Sequence, residues 1–219
     1  MKVTDIERIV VDVPFTERQQ RITQRTVYNW SILELCRVTA DTGDVGWGET
    51  VIHYTHQRVT DASVERVLHT SPAEAMWDDS IGFGLQMALF DAVGKSLGVP
   101  VHALFGKKVR DRAGLSWWAL DMPPEDWASE CQTAVQLGYR DFKTKGRPWF
   151  DIWQQVETAV AVVPEEFKID MDFNDTLLDA ERAIPILRNL ERYKHIEIYE
   201  TPIPQLDVPG NRKIREATR

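Results

Sequence analysis

The sequence predicts two folded parts in series, an α+β module over residues 1–112 and an α/β module over residues 113–219. Two observations predict this division. In the first third of the chain, runs rich in β-branched residues alternate with turn signals, and a helical region follows. From Leu115 onwards, short apolar strands alternate with helices at a repeat of ~25–30 residues, which is typical of (β/α) units.

Composition excludes several classes of protein. The 219 residues are 43% hydrophobic and 27% charged, as in soluble globular proteins, and no run approaches the ~18 apolar residues of a membrane span. The net charge of −8 argues against a nucleic-acid surface. Cys36 and Cys131 fit no metal-binding or disulfide spacing, so we expect them to be ordinary thiols in a reducing compartment. The first residues lack a signal-peptide pattern, so we expect a cytoplasmic protein.

The first module reads as a three-stranded antiparallel meander followed by helices. The segment at residues 14–29 is long, polar and poorly patterned, which predicts a functional or mobile loop. Asp41 to Asp44 form a turn signal, and Pro72 after Ser71 marks a helix start. The predicted strands are residues 3–13, 31–39 and 45–50, and the predicted helices are residues 59–68 and 84–97.

The second module repeats strand and helix, which predicts a parallel sheet. Helix candidates lie between the strands. The predicted strands are residues 115–120, 140–145, 167–172 and 196–200, and the predicted helices are residues 125–137, 152–163 and 177–190.

Polar residues close three successive strands of this module. Lys143 and Lys145 end the second strand, Asp172 and then Asn174 end the third, and Glu200 ends the fourth. Side chains two apart on a strand share a face, so each pair points the same way. In α/β barrels, polar residues at the carboxyl ends of strands are catalytic.

These residue types suit one kind of chemistry. Asp172 and Glu200 offer the hard oxygen ligands that Mg²⁺ prefers. Two neighbouring lysines lower each other's pKa, and a nearby divalent cation lowers it further. One lysine of the pair can therefore act as a general base. The pattern predicts a magnesium-dependent acid–base site.

The ordered motifs resemble the enolase superfamily, in its mandelate racemase/muconate lactonizing branch. Lys143 and Lys145 match its K-x-K motif, Asp172 and Asn174 its D-x-N motif, and Glu200 begins its E-x-P motif. Residues 46–49, 71–75, 88–92 and 104–106 also resemble its N-terminal domain. The resemblance implies an enolase-like capping domain over residues 1–112, then the first half of a TIM-type barrel, about four strands, over residues 113–219.

The resemblance also implies roles. Mg²⁺ would hold a substrate carboxylate and stabilise the enediolate formed when the α-proton leaves. Lys145 would be the base, Lys143 would tune it and contact the carboxylate, and Asp172 and Glu200 would be metal ligands. Asn174 would be a supporting polar group in the substrate site. The family further implies a homo-oligomer that acts on a small carboxylate.

Two loops would set specificity, at residues 15–29 and 47–56. The expected substrate contacts are Trp30, His53, Tyr54 and Arg147, the last by pairing with a second carboxylate or with sugar oxygens. For Arg147 a plain surface position is the alternative, and for Asp170 we expect a structural partnership with a lysine. Arg147 and the polar loop favour polyhydroxy acids.

The reaction class stays open at this point. We expect a dehydratase, or a racemase or epimerase, on a hydroxy acid or acid sugar; a cycloisomerase or dipeptide epimerase is the alternative. The family's third metal ligand and opposite-face acid/base would lie on later strands, and a complete barrel needs roughly 250 residues. A further alternative is therefore a partial sequence, or an inactive truncated chain that survives only by associating with another chain.

Overall fold

The computed structural model describes residues 1–54 and 58–219. This described part forms two compact units, Met1–Gln20 with Val27–Arg112 and Arg21–Thr26 with Ala113–Arg219. Within it, every helix is too short or too polar to span a membrane.

An antiparallel three-stranded sheet underlies the first unit, with its strands side by side in chain order. The predicted meander is confirmed, with Gly43 at positive φ in the turn between the second and third strands. Among the described residues of this part of the chain, four helices accompany these strands, with 3₁₀ turns at Tyr28–Ser31, Asp79–Ile81 and Val101–Leu104. The bounds are β1 (Val3–Asp12), α1 (Glu17–Thr23), β2 (Ile32–Ala40), β3 (Val45–Val51), α2 (Asp61–Val67), α3 (Pro72–Ala75) and α4 (Phe83–Leu97).

Helix α4 packs directly on β3 because two glycines let the backbones touch. A Cβ on Gly46 would lie 1.9 Å from the carbonyl oxygen of Ala88, and a Cβ on Gly48 would lie 2.1 Å from that of Gly84. Leu85 and Leu89 of α4 are fully buried in the core of the unit. The Gly-Trp-Gly sequence of β3 thus serves close packing of helix on strand.

Both predicted specificity loops contain regular structure. Within residues 15–29 the chain forms the short helix α1, and Ile22 and Thr23 are buried there. Seven residues are too few to display a helical repeat in sequence, so the loop prediction was wrong for this helix. Within residues 47–56, β3 continues to Val51, and Thr55 and His56 lie outside the described residues.

The second unit contains the predicted parallel sheet, whose four strands lie side by side in chain order. Each strand is followed by a helix, so this part of the fold prediction is confirmed. The bounds are β4 (Trp117–Trp118), α5 (Pro124–Gln136), β5 (Asp141–Lys145), α6 (Ile152–Val160), β6 (Lys168–Asp172), α7 (Ala180–Leu190), β7 (Ile196–Glu200) and α8 (Val208–Ala217).

Two elements of this unit are shorter than predicted. Strand β4 has two residues, and Leu115 before it is exposed. Helix α7 begins at Ala180 rather than near residue 177, because Asn174, Asp175 and Leu178 take positive φ values that no helix allows. The β6–α7 connection is therefore a loop with three residues at positive φ, and it directly follows the predicted site residues of β6.

The segment Arg21–Thr26 belongs to the second unit through ion pairs with α5. Arg21 pairs with Asp126 at 3.0 Å and with Glu130 at 3.7 Å, and Arg25 pairs with Asp126 at 3.6 Å. The Glu130 carboxylate is buried and also accepts from the indole N–H of Trp117 at 2.9 Å. The two arginines thus neutralise acidic groups that face them from α5.

Both cysteines are buried free thiols. Burial raises the pKa of Cys36 and of Cys131 to about 12. They therefore stay protonated near neutral pH and act as small apolar core residues.

Candidate active site

The predicted lysines and carboxylates lie side by side at the carboxyl ends of β5, β6 and β7. Lys145 is in register with Asp172, and Asp172 is in register with Glu200. Lys143 lies one layer deeper on the same face of the sheet, in register with Asp170. The three strand ends thus bring two ammonium groups and two carboxylates into one cluster.

Lys145 is held by two acceptors from β6 and the loop after it. Its Nζ donates to Asp172 Oδ2 at 2.6 Å and to Asn174 Oδ1 at 2.9 Å. The lysine side chain is 12% exposed. Its amino group is therefore fixed at the rim of the sheet.

Lys143 bridges the two carboxylates. Its Nζ donates to Glu200 Oε2 and lies 3.5 Å from Asp172 Oδ2. Glu200 is the more open of the two acids, with its side chain 46% exposed. A positive charge is thus already stabilised between Asp172 and Glu200.

Asp172 is the most buried member of the cluster, at 2% exposure. Burial acts to raise the pKa of this carboxyl, but hydrogen bonds from Lys145 and the backbone N–H of Asn174, with the charges of both lysines, outweigh it and hold the pKa below its usual value. Asp172 is therefore an anion near neutral pH, as a metal ligand must be.

Asp170 does not form the structural partnership with a lysine that the sequence suggested. Its Oδ1 is buried and accepts no hydrogen bond from the described residues. Burial, with the negative charges of Glu197 and Asp141, raises the pKa of Asp170 to about 6, although Lys143 acts in the opposite direction. Lys143 donates instead to Glu200, at the end of β7, by reaching across β6.

The backbone beyond β6 and β7 is unusually bent. Thr201, directly after Glu200, has a φ of 45°, which is strained for a β-branched residue. The N–H of Phe173 donates to the Glu200 carbonyl at 3.0 Å, and that of Asp175 donates to the Thr201 carbonyl at 2.9 Å. These hydrogen bonds hold the two strand ends together and fix where Asp172 and Glu200 point.

Arg147 forms an internal ion pair. Its Nε donates to Asp121 Oδ1 at 3.0 Å, and its Nη1 donates to the Phe173 carbonyl at 3.4 Å. The guanidinium also lies 5.4 Å from the ring centre of Trp149. Asp121 was missed by sequence reasoning, because nothing local marks a carboxylate whose partner lies 26 residues further on.

The remaining predicted contacts lie in the first unit. The rings of Trp30 and Tyr54 meet edge to face with centres 4.6 Å apart, and Tyr54 and His53 are exposed. Their role as substrate contacts stays a prediction.

The donor set of the cluster fits a hard divalent cation. Asp172 and Glu200 supply carboxylate oxygens, and the bridging Lys143 ammonium marks a position where positive charge is stabilised. In residues 1–54 and 58–219, no group of three acidic, histidine or cysteine side chains could hold a metal. Two protein carboxylates suit Mg²⁺, which keeps several waters or substrate oxygens in its coordination shell.

The known proteins to which this chain is similar carry the names of enzymes. D-galactonate dehydratase of Pectobacterium atrosepticum is 31% identical over 215 residues, covering 82% of this chain and 55% of that protein. L-Ala-D/L-Glu epimerase of Bacillus subtilis is 24% identical, covering 100% of this chain and 65% of that protein. The structure of muconate lactonizing enzyme from Pseudomonas putida has a TM-score of 0.78 at 22% identity, covering 100% of this chain and 64% of that one. No protein-family profile matches.

The chain thus spans about half to two thirds of the length of these proteins. The dehydratase and epimerase matches give the relationship by sequence, and the muconate lactonizing enzyme shows the same fold. The ordered K-x-K, D-x-N and E-x-P motifs stand at the ends of β5, β6 and β7, as the family resemblance implied. The sequence relatives and structural neighbours of the chain are thus proteins of the mandelate racemase/muconate lactonizing branch of the enolase superfamily.

Proposed function

We propose that this chain supplies the base and two metal ligands of a Mg²⁺-dependent enzyme that removes the proton α to a substrate carboxylate. One observation carries the proposal. Lys145, Asp172 and Glu200 stand in register at the carboxyl ends of three adjacent parallel strands. The amino group proposed as the base and the two carboxylates proposed as metal ligands thereby lie on one face of the sheet.

Each residue of the cluster has a part in the proposed reaction. Lys145, in its neutral form, would accept the α-proton at Nζ, with Asn174 and Asp172 orienting that nitrogen. Lys143 would donate to the substrate carboxylate. Asp172 and Glu200 would hold Mg²⁺, which when bound would stabilise the negative charge that builds up on the substrate carboxylate.

The favoured reaction is dehydration of an acid sugar. Two relatives at 31% identity are named D-galactonate dehydratases. In such a reaction the Cα–H bond breaks and its proton goes to Lys145. The electron pair forms a Cα–Cβ double bond, and the β-hydroxyl departs with a proton from a general acid as water. The enol product then becomes a keto acid.

Epimerisation of a dipeptide is the second candidate. The Bacillus subtilis epimerase aligns over the whole chain, which the dehydratase match does not. That reaction shares the first step, removal of an α-proton, but returns a proton to the opposite face instead of expelling a hydroxyl.

Solvent deuterium exchange tests both candidates. The chain is incubated in D₂O with Mg²⁺ and either D-galactonate or L-Ala-L-Glu, and loss of the α-proton signal is followed by NMR. We expect Mg²⁺-dependent exchange with the acid sugar, abolished by a chelator and restored by added Mg²⁺. Exchange with the dipeptide alone would favour the epimerase. No Mg²⁺ binding by calorimetry and no exchange would contradict the proposal and favour an inactive chain.

A further inference from the structure

We infer that Arg147 and Asp121 act as a positioning pair for the catalytic lysine and the buried metal ligand, rather than as substrate contacts. The inference rests on the proposed function and adds two residues to it. Asp121 follows β4, Arg147 follows Lys145 of β5, and the carbonyl accepting from Arg147 belongs to Phe173, which follows Asp172 of β6. One guanidinium therefore joins the ends of three neighbouring strands.

The pair is shielded from water. The Asp121 side chain is 5% exposed and the Arg147 side chain 14%. Breaking a buried ion pair leaves one charge without a partner, which is far more costly than losing a surface pair. The arrangement is therefore fixed, and the residues adjoining it are fixed with it.

Those adjoining residues carry the catalytic groups. Gly146, between Lys145 and Arg147, donates from its N–H to the Asp172 carbonyl at 3.0 Å. A Cβ on Gly146 would lie 2.6 Å from the Phe173 ring, so the two loops touch with no room for a side chain. Any shift of Arg147 would move Gly146 and Phe173, and with them Lys145 and Asp172.

The donors of Arg147 explain why it suits this role better than substrate binding. Nε and Nη1 both donate to protein oxygens, and Asp121 neutralises the positive charge. A carboxylate substrate would have to compete with Asp121 for the guanidinium. Lysine would keep the charge but would offer a single donor nitrogen in place of the separate Nε and Nη1 of the planar guanidinium fork.

Conservative variants test the inference. Arg147→Lys and Asp121→Asn should each lower kcat for α-proton exchange and weaken Mg²⁺ binding by about tenfold or more, with KM little changed, as for other residues that orient metal ligands. The double variant should be no worse than either single one, because both remove the same interaction. Arg192→Lys is the matched control, since Arg192 also stacks on an aromatic ring, that of Trp153, but in an exposed position.

Three outcomes overturn the inference. If Arg147→Lys raises KM while kcat and Mg²⁺ affinity hold, Arg147 binds substrate. If both variants match the parent chain in all three quantities, the pair positions nothing. If the parent chain neither binds Mg²⁺ nor catalyses exchange, the proposed function itself fails and this inference fails with it.

Discussion

Replacing Lys145 with alanine should slow α-proton exchange by about 10²- to 10⁴-fold, the usual contribution of a general base. The reason is geometric, since Lys145 Nζ, the proposed base, is held by both Asp172 and Asn174 at the strand ends. Exchange of the substrate α-proton in D₂O, followed by NMR, measures the loss. Lys145→Met should behave alike, because it keeps the apolar stem and removes only the amino group.

A second lysine controls for the loss of charge alone. Lys194 forms an ion pair with Glu165 at 2.7 Å in the same unit, but it is 75% exposed. Lys194→Ala should leave exchange unchanged. If Lys145→Met retained the parent rate while Lys194→Ala did too, Lys145 could not be the base.

The largest effect on stability is expected from Gly46→Ala. The added Cβ would lie 1.9 Å from the Ala88 carbonyl oxygen and 2.7 Å from the Ala92 nitrogen, both backbone atoms of α4. Helix and strand would have to separate, so we expect a loss of about 2–3 kcal/mol or more in the free energy of unfolding. Urea denaturation followed by circular dichroism measures it.

Gly114→Ala is the comparison for that experiment. A Cβ there would meet no atom within 4 Å, and Gly114 does not adopt a positive φ. Its unfolding midpoint in urea should match that of the parent chain. Equal midpoints for Gly46→Ala and the parent would mean that β3 and α4 are less tightly packed than described.

Sequence alone could predict the strand ends that carry the candidate site. Lys145, Asp172 and Glu200 each end a predicted strand of about five residues, and the carboxyl ends of neighbouring parallel strands lie at the same edge of a sheet. The short helix α1 could not be predicted, because its stability comes from burying Ile22 and Thr23 rather than from a local pattern. The late start of α7 depends on backbone angles at Asn174 and Leu178 that composition does not reveal.

The partner of each charged group was harder to predict than its position. Lys143 was expected beside Lys145, yet which carboxylate it would contact depends on side-chain reach across β6 to Glu200. Arg147 was expected to reach a substrate because sequence gives no sign of Asp121, which lies on a different loop. Pairing across strands is decided by the folded geometry, not by neighbours in the chain.

The ion pairs between Arg21 or Arg25 and α5 also have a consequence for synthesis. Arg21 and Asp126 are 105 positions apart in the chain. At a synthesis rate of ~5–20 residues per second, the ribosome adds Asp126 about 5 to 20 s after Arg21. Until then these arginines have no partner on α5, and that helix, once made, depends on residues synthesised much earlier. The second unit therefore cannot complete its native contacts from its contiguous part, Ala113–Arg219, alone.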